Sequence, residues 1–516
     1  MATPGEKLAQ SLEVLRQFQK ENKIAIRSRD LTRTHKERLV QNHFLVEVMK
    51  GWYIPSNPEE GDGDSTAWFA SYWDFAAAYL DERFGKEWIL SPEQSLFLHT
   101  GKITVPGQLL VKTPKGGNKP VSLPQNTSLI DIRANLPGKE EQDELHGLRV
   151  YTLPASIIWS GEGVFRNNEI EARTALAMIH DASDVLSLLL GGGHSVIAGR
   201  LAGAFRNTGR TDIADRIVGD MTKAGYKINE KDPFTQPAPF VITIRESSPY
   251  TTRMRLMWQK MRNEVIPLFP DPPKSKMSCS DYIKDVDEAY LSDAYHSLSI
   301  EGYRVNEALI EKVRSGIWSP DENDEDSKHK DALAAKGYFD AFEAVKVSVD
   351  KVFKNNSPGK IASVDHHVWY TELFSPGIRA GILKASDLAG YRTGAVYIKN
   401  SMHSPPSKEA VRDMMPLFFE LLDQEKNKAV RVVLGHFIFV YIHPYFDGNG
   451  RMGRFLMNLM LASGGYPWTV IPVNQRKLYM ESLEAASVRE DIRPFASFIG
   501  DLVRERIGGV PNPKAK

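Results

Sequence analysis

The sequence predicts a mainly α-helical protein with two unlike halves: a helical bundle carrying a β-hairpin over residues 281–510, preceded by an α+β half that opens with a winged helix. Three observations carry this. Ala429–Ile442 (A-V-R-V-V-L-G-H-F-I-F-V-Y-I) is almost uninterrupted apolar sequence, long enough for a buried helix, too short and interrupted to cross a bilayer, and stopped by Pro444. Arg451–Ser463 puts Phe455, Leu456, Leu459 and Met460 at helical spacing before Gly464-Gly465 closes the segment. Near the start, Leu31–Asn42 reads as a helix, while Phe44–Val48, a Lys50-Gly51 turn and Trp52-Tyr53-Ile54 read as two strands.

A length of 516 residues suits about three domains with room for large cores. Residues 1–60 form the winged-helix-like segment, and from Lys20 to Lys50 eight Lys/Arg stand against four acids, a modest basic patch. Residues 61–235 mix strand-like runs (Gln108–Lys112, Leu148–Leu153) with helices at Glu171–Leu190 and Ile197–Thr222, and no function can be read from them. Gly191-Gly192-Gly193-His194 lacks the Lys-Ser/Thr of a phosphate-binding P-loop and reads as a turn between helices. The Pro-rich stretches Asp232–Phe240 and Ile266–Lys274 make residues 236–280 a connector, and Asp321–Lys330 reads as a charged surface loop. Tyr391–Ile398 (Y-R-T-G-A-V-Y-I) alternates well enough for a strand beside a turn, with Pro405-Pro406 as breakers.

Totals of 65 Lys+Arg and 65 Asp+Glu give no global pull toward nucleic acid or a membrane surface. A single cysteine, Cys279, excludes an internal disulfide framework and reads as inert. With no signal peptide and no transmembrane run, the expectation is a cytoplasmic protein without membrane contact.

The chemistry concentrates in His443–Arg454, H-P-Y-F-D-G-N-G-R-M-G-R. Eight of these positions are chemically demanding, and at usage of roughly one in twenty each they would almost never coincide by chance. Gly448-Asn449-Gly450 is a loop opening a helix, so it presents free N–H groups and the positive end of the helix dipole, which suits phosphate. Arg451 and Arg454, three apart, project from the first turn toward the outer phosphates of a nucleotide. Asp447 is a hard oxygen ligand beside them, as Mg²⁺ requires. His443 is the one side chain in the motif that accepts a proton near neutral pH, and is assigned as general base toward an incoming hydroxyl. His436, inside the apolar run, reads as a core histidine.

These residues resemble the Fic family signature H-P-F-x-[D/E]-G-N-G-R-x-x-R, with Tyr445 in place of the usual Phe. The resemblance runs from about Asp281 to the C-terminal helix and includes Asp491-Ile492-Arg493-Pro494-Phe495. It implies a Fic-like helical bundle over 281–510 and transfer of AMP from ATP, with Mg²⁺, onto a Ser, Thr or Tyr hydroxyl of a target protein. The implied roles are His443 as base, Asp447 as metal ligand, Gly448, Asn449 and Gly450 as anion hole, and Arg451 and Arg454 as phosphate contacts. Residues Thr393, Gly394, Ala395, Val396, Tyr397 and Ile398 match the flap, a hairpin that clamps the target as an added strand. Ala485–Glu490 (A-A-S-V-R-E) departs from relatives that place an Asn there against adenine.

Ser297–Gly302 (S-L-S-I-E-G) matches the family's inhibitory pattern [S/T]-x-x-x-E-[G/N]. The resemblance implies that Glu301 pairs with Arg454 and blocks the reactive pose of ATP, with Ser297 and Gly302 completing the pattern. The N-terminal residues resemble the winged-helix domain of AbiEi-type antitoxins, which implies DNA contacts from Arg33, Lys36 and Arg38 with Lys50 on the wing, and makes 61–235 an antitoxin-like region of unknown role. Other readings stay open: a Fic transferase with another donor or one that removes AMP, a DNA-binding regulator whose Fic domain senses nucleotide, and a homodimer.

Overall fold

The computed structural model describes residues 3–21, 23–58, 64–236, 248–274, 277–316, 330–354 and 356–515. Most of the Asp321–Lys330 loop and the end of the Asp232–Phe240 stretch lie outside the described residues. The chain divides into two compact units, Met1–Arg253 with Tyr397–Ser404, and Met254–Val396 with Pro405–Lys516.

The first unit opens with a helix, Pro4–Lys20, started by Thr3, whose hydroxyl accepts from the Glu6 amide while Glu6 accepts from the Thr3 amide. A short strand, Ile26–Arg27, precedes the helix Arg33–Gln41 and the antiparallel strands Leu45–Met49 and Trp52–Pro55; Trp52–Pro55 is central in this three-stranded sheet. Leu15, Ile26, Leu31, Leu39, Leu45 and Tyr53 pack on one side of it. Val48, Trp52 and Ile54 pack instead with Trp68, Tyr72 and Phe75 of the helix Thr66–Phe84, so residues 1–60 share a core with that helix.

A four-stranded sheet comes next, in spatial order Ile89–Leu90, Gln108–Thr113, Ser128–Arg133, Pro120–Ser122, its two longest strands parallel. Two of the expected long helices are broken. Glu171–Leu190 is two helices, Glu169–Met178 and Ser183–Gly192, because Asp184 accepts from the His180 and Asp181 amides and restarts the chain at a new angle. Ile197–Thr222 is Ser195–Asn207 and Thr211–Lys223, parted where Gly209 takes the left-handed conformation. Gly193 ends Ser183–Gly192 in that same conformation, which makes the triple-glycine segment a turn. Tyr397–Ser404 is pinned in this unit by Asn400, whose side-chain oxygen accepts from the Ser65 amide at 3.0 Å, and by a Lys399–Asp64 ion pair at 3.2 Å.

The second unit is helical. Residues expected as a connector hold the helix Pro249–Val265, whose part from Met254 onward counts with this unit and buries Met254, Met257, Trp258, Met261 and Val265. Its apolar positions stand at helical spacing, but the proline clusters on either side obscure them in the sequence. The helices Cys279–Ile300, Glu307–Arg314, Lys330–Phe353, Pro358–Arg379, Lys408–Gln424, Lys428–Ile442, Asn449–Gly464, Arg476–Arg489 and Arg493–Ile507 complete it. Lys428–Ile442 is buried nearly all round, as its continuous apolar sequence requires. Lys330–Phe353 and Pro358–Arg379 approach so closely that a Cβ on Gly337 would overlap the Leu373 carbonyl oxygen. Gly337→Ala should therefore destabilise the protein by about 1–3 kcal/mol through overpacking, read as a lower denaturant midpoint at unchanged slope.

Candidate active site

The site is built where Lys428–Ile442 ends and Asn449–Gly464 begins. His443 caps the first helix in the left-handed conformation, its amide donating to Phe439 O at 3.0 Å. Its Nδ1 lies 3.2 Å from the Val440 carbonyl. A carbonyl only accepts, so Nδ1 carries the proton and Nε2 is left with its lone pair free. Burial holds the imidazole down at about 4, against 6.5 for a free ring, partly offset by the Val440 carbonyl. His443 is thus a neutral proton acceptor at pH 7. The unfolded chain takes up this proton below pH 6.5 and the folded chain resists until about 4, so His443 costs stability as pH falls through that interval.

The loop between the helices is folded by Asn449. Its Oδ1 accepts from the Tyr445 amide at 3.0 Å and its Nδ2 donates to the Tyr445 carbonyl at 2.8 Å, so the side chain shapes the loop and only its main chain is left to face an anion. Tyr445 is buried and stacked on Tyr370 at 3.7 Å, and its extra hydroxyl meets His367 Nδ1 at 3.3 Å. Asp447 stands at the mouth with its side chain 66% exposed, Oδ2 3.3 Å from Arg451. Among the described residues no group of three or more acidic, His or Cys side chains gathers to hold a metal. Asp447 alone would suit an ion that takes its remaining ligands from phosphate oxygens.

Both arginines are buried. Arg451 lies beside two rings, with Tyr303 and Phe374 centred 5.2 and 5.1 Å from its guanidinium carbon. Arg454 donates from Nε to Ser297 Oγ at 2.8 Å, and from Nη2 to Ser297 O at 3.1 Å and Glu301 Oε1 at 2.6 Å. Burial would lower this guanidinium, but the Glu301 charge outweighs it and raises the group above its ordinary value. Glu301 caps Cys279–Ile300, Gly302 follows in the left-handed conformation, and the amides of Gly302 and Tyr303 return to Ser299 O and Leu298 O at 3.1 Å each. A Cβ on Gly450 would overlap Glu301 Oε1, so the carboxylate lies against the first turn of Asn449–Gly464.

The structure therefore brings His443, Asp447, Gly448, Asn449, Gly450, Arg451, Arg454, Ser297 and Glu301 together. It does not form the hairpin expected over Tyr391–Ile398, where no strand is present. The cause is Arg392: its amide donates to Pro444 O at 2.9 Å and its side chain takes the Gly394 carbonyl at 3.0 Å, so these polar groups are spent locally rather than in a ladder. Thr393 and Ala395 are exposed, the edge of the Phe446 ring lies against Gly394, and Tyr397 and Ile398 count with the first unit. His436 is a core residue on the Tyr479 hydroxyl at 2.8 Å. Arg392, Tyr303 and Phe374 carried no motif; only the position of Tyr303 directly after Glu301-Gly302 could have marked it.

Residues 372–461 match the Fic/DOC family. It is similar to the protein named protein adenylyltransferase Fic of Drosophila willistoni, 30% identical over 227 residues, which are 43% of this chain and 41% of that protein. The Drosophila melanogaster protein of the same name is 28% identical over 225 residues, covering 43% and 42%. The chain thus matches about two fifths of the length of these curated relatives. A solved structure, Fic-1 (residues 134–508) of C. elegans, aligns over 66% of this chain and 91% of its own at 18% identity and a TM-score of 0.37. Among the described residues no single helix is long and apolar enough to cross a membrane.

NMR of the His443 ring should show a titration midpoint near 4; a midpoint near 6.5 would mean a solvated ring. Tyr445→Phe should cost under about 1 kcal/mol, since the stacking on Tyr370 survives and only a long hydroxyl contact is lost.

Proposed function

We propose that the chain is an autoinhibited protein adenylyltransferase. The observation that carries this is a single juxtaposition: a neutral histidine with a free Nε2 stands at a helix N-terminus whose phosphate-type arginine is already holding a carboxylate. In the reaction a Ser, Thr or Tyr hydroxyl of a target protein attacks the α-phosphorus of ATP. His443 Nε2 takes the hydroxyl proton, the new O–P bond forms, and the bond to the β-phosphate oxygen breaks to release pyrophosphate. The amides of Asn449 and Gly450 are offered to the phosphate oxygens, that of Gly448 joins them on leaving Asp447 Oδ1, to which it donates at 2.6 Å, and Arg451 and Arg454 hold the outer phosphates. Mg²⁺, when bound, supplies charge neutralisation of the polyphosphate, and Asp447 is the residue that would hold it.

Glu301 occupies the guanidinium that an outer phosphate needs. Breaking a buried pair costs about 3–5 kcal/mol, and 1.4 kcal/mol is tenfold, so the contact is strong enough to hold turnover down by about two to three orders of magnitude. With α-labelled ATP, Mg²⁺ and lysate, Glu301→Gly should raise labelling of target or enzyme by about 100-fold, and His443→Ala in that background should abolish it. Equal labelling by Glu301→Gly and wild type would remove the brake, and label from another donor would change the reaction.

For the first sixty residues, the order helix, strand, helix, hairpin supports the winged-helix reading and DNA as a partner. Three of the four expected contacts already have partners: Arg38 donates to Lys7 O at 2.6 Å and Ser11 Oγ at 2.9 Å, Lys36 to Ser28 Oγ at 3.1 Å, and Arg33 to Glu37 Oε1 at 2.7 Å. Arg33 is nevertheless 87% exposed, so a phosphate can compete for it, and Lys50 is exposed. Each alanine replacement there should reduce the salt slope of binding to the protein's own promoter by about 1; a slope unaffected by both would assign this face to protein contacts.

A further inference from the structure

Arg392 is 1% exposed, and it spends its donors on carbonyl oxygens. Nε donates to His443 O at 2.8 Å, Nη1 to Gly394 O at 3.0 Å, and Nη2 to Pro406 O. Its own amide donates to Pro444 O at 2.9 Å. Burying a guanidinium against neutral oxygens is costly, and burial pulls it down to about 10. A lysine would be cheaper to hold but has no planar fork to reach three diverging carbonyls.

What this arginine grips is specific. The carbonyl of His443 is an orphan at the end of Lys428–Ile442, and some donor must satisfy it. The peptide on either side of the base is thus fixed by two contacts, Phe439 O on its amide and Arg392 on its carbonyl, while Val440 O fixes the ring. Of these three, only Arg392 comes from the segment that presents Thr393–Val396. The same guanidinium holds the carbonyl of Gly394, in the middle of that segment.

We propose that Arg392 is a positioning residue for group transfer, locking the peptide of His443 and the carbonyl of Gly394 into one frame so that a hydroxyl docked along 393–396 meets Nε2 in register. This rests on the transferase reading given above. The Arg392 guanidinium bonds none of Gly448, Asn449, Gly450 or Arg454, so its contribution falls on turnover and not on nucleotide affinity.

The test uses the full chain with Glu301→Gly, alone and with Arg392→Lys or Arg392→Gln. ATP affinity by titration calorimetry should stay within twofold. Labelling turnover at saturating ATP should fall ten- to hundredfold for Arg392→Gln, with part of the loss recovered by Arg392→Lys. Independently of any transfer, amide hydrogen exchange should speed up at positions 392 and 443, whose amides are bonded to Pro444 O and Phe439 O, and stay unchanged in Asn449–Gly464. Parallel loss of ATP affinity and turnover, unchanged exchange at 392 and 443, or failure of both variants to fold would overturn the positioning role and make Arg392 a structural residue. If the Glu301→Gly parent shows no transfer at all, the transferase reading fails, while the exchange measurement still decides whether Arg392 frames the base and Gly394.

Discussion

A helix N-terminus buried with two arginines at its first turn must hold an anion. Asn449–Gly464 carries that requirement, because Arg451 and Arg454 are 1% and 3% exposed and the first amides of the helix have no partners within it. In the protein as it stands the anion beside Arg454 is Glu301, delivered from a helix that starts 170 positions earlier in the sequence than its partner. The packing of Cys279–Ile300, the glycine at 450 and the turn at Gly302 all serve that one contact, since a side chain at 450 would displace the carboxylate.

The residues that carry chemistry were legible because their identities and spacing are local. H-P-x-x-D-G-N-G-R spans one loop and the first turn of the next helix, so proton acceptor, acid and arginines follow from the chain alone, and the two flanking helices follow from their apolar runs. The contact between Glu301 and Arg454 was legible only through family resemblance, because no local pattern connects residues so far apart. The Tyr391–Ile398 segment misled for a physical reason. Alternation of apolar and polar residues describes which faces are buried, not where the backbone hydrogen bonds go, and here Arg392 takes them. The two long helices in the first unit failed likewise: apolar spacing continues across His180–Ala182 and Gly209, while local capping and a left-handed glycine turn the chain.

Contacts that sequence could not show are those in which a side chain acts on another side chain's orientation. Arg451 is flanked by Tyr303 and Phe374 while its Nη2 meets Asp447, so two rings and a carboxylate set its place. Tyr303 sits two residues after Glu301, so one tight turn reaches both arginines, one through charge and the other through a ring face. The loop that bears the carboxylate and the arginine cradle it covers are therefore one mechanical unit.

That arrangement constrains how the proposed brake can open. Arg454 is buried, and a buried guanidinium stripped of its partner costs several kcal/mol, so a state with Glu301 withdrawn and nothing in its place is sparsely populated. An arriving phosphate supplies the replacement charge at the same atoms. On the proposed function, release and nucleotide binding would be one exchange of anions, with the carboxylate a competitor held at high effective concentration by its own helix. In the proposed exchange the accessible end of the pair is Glu301, 27% exposed against 3% for Arg454, which is held by Ser297 as well.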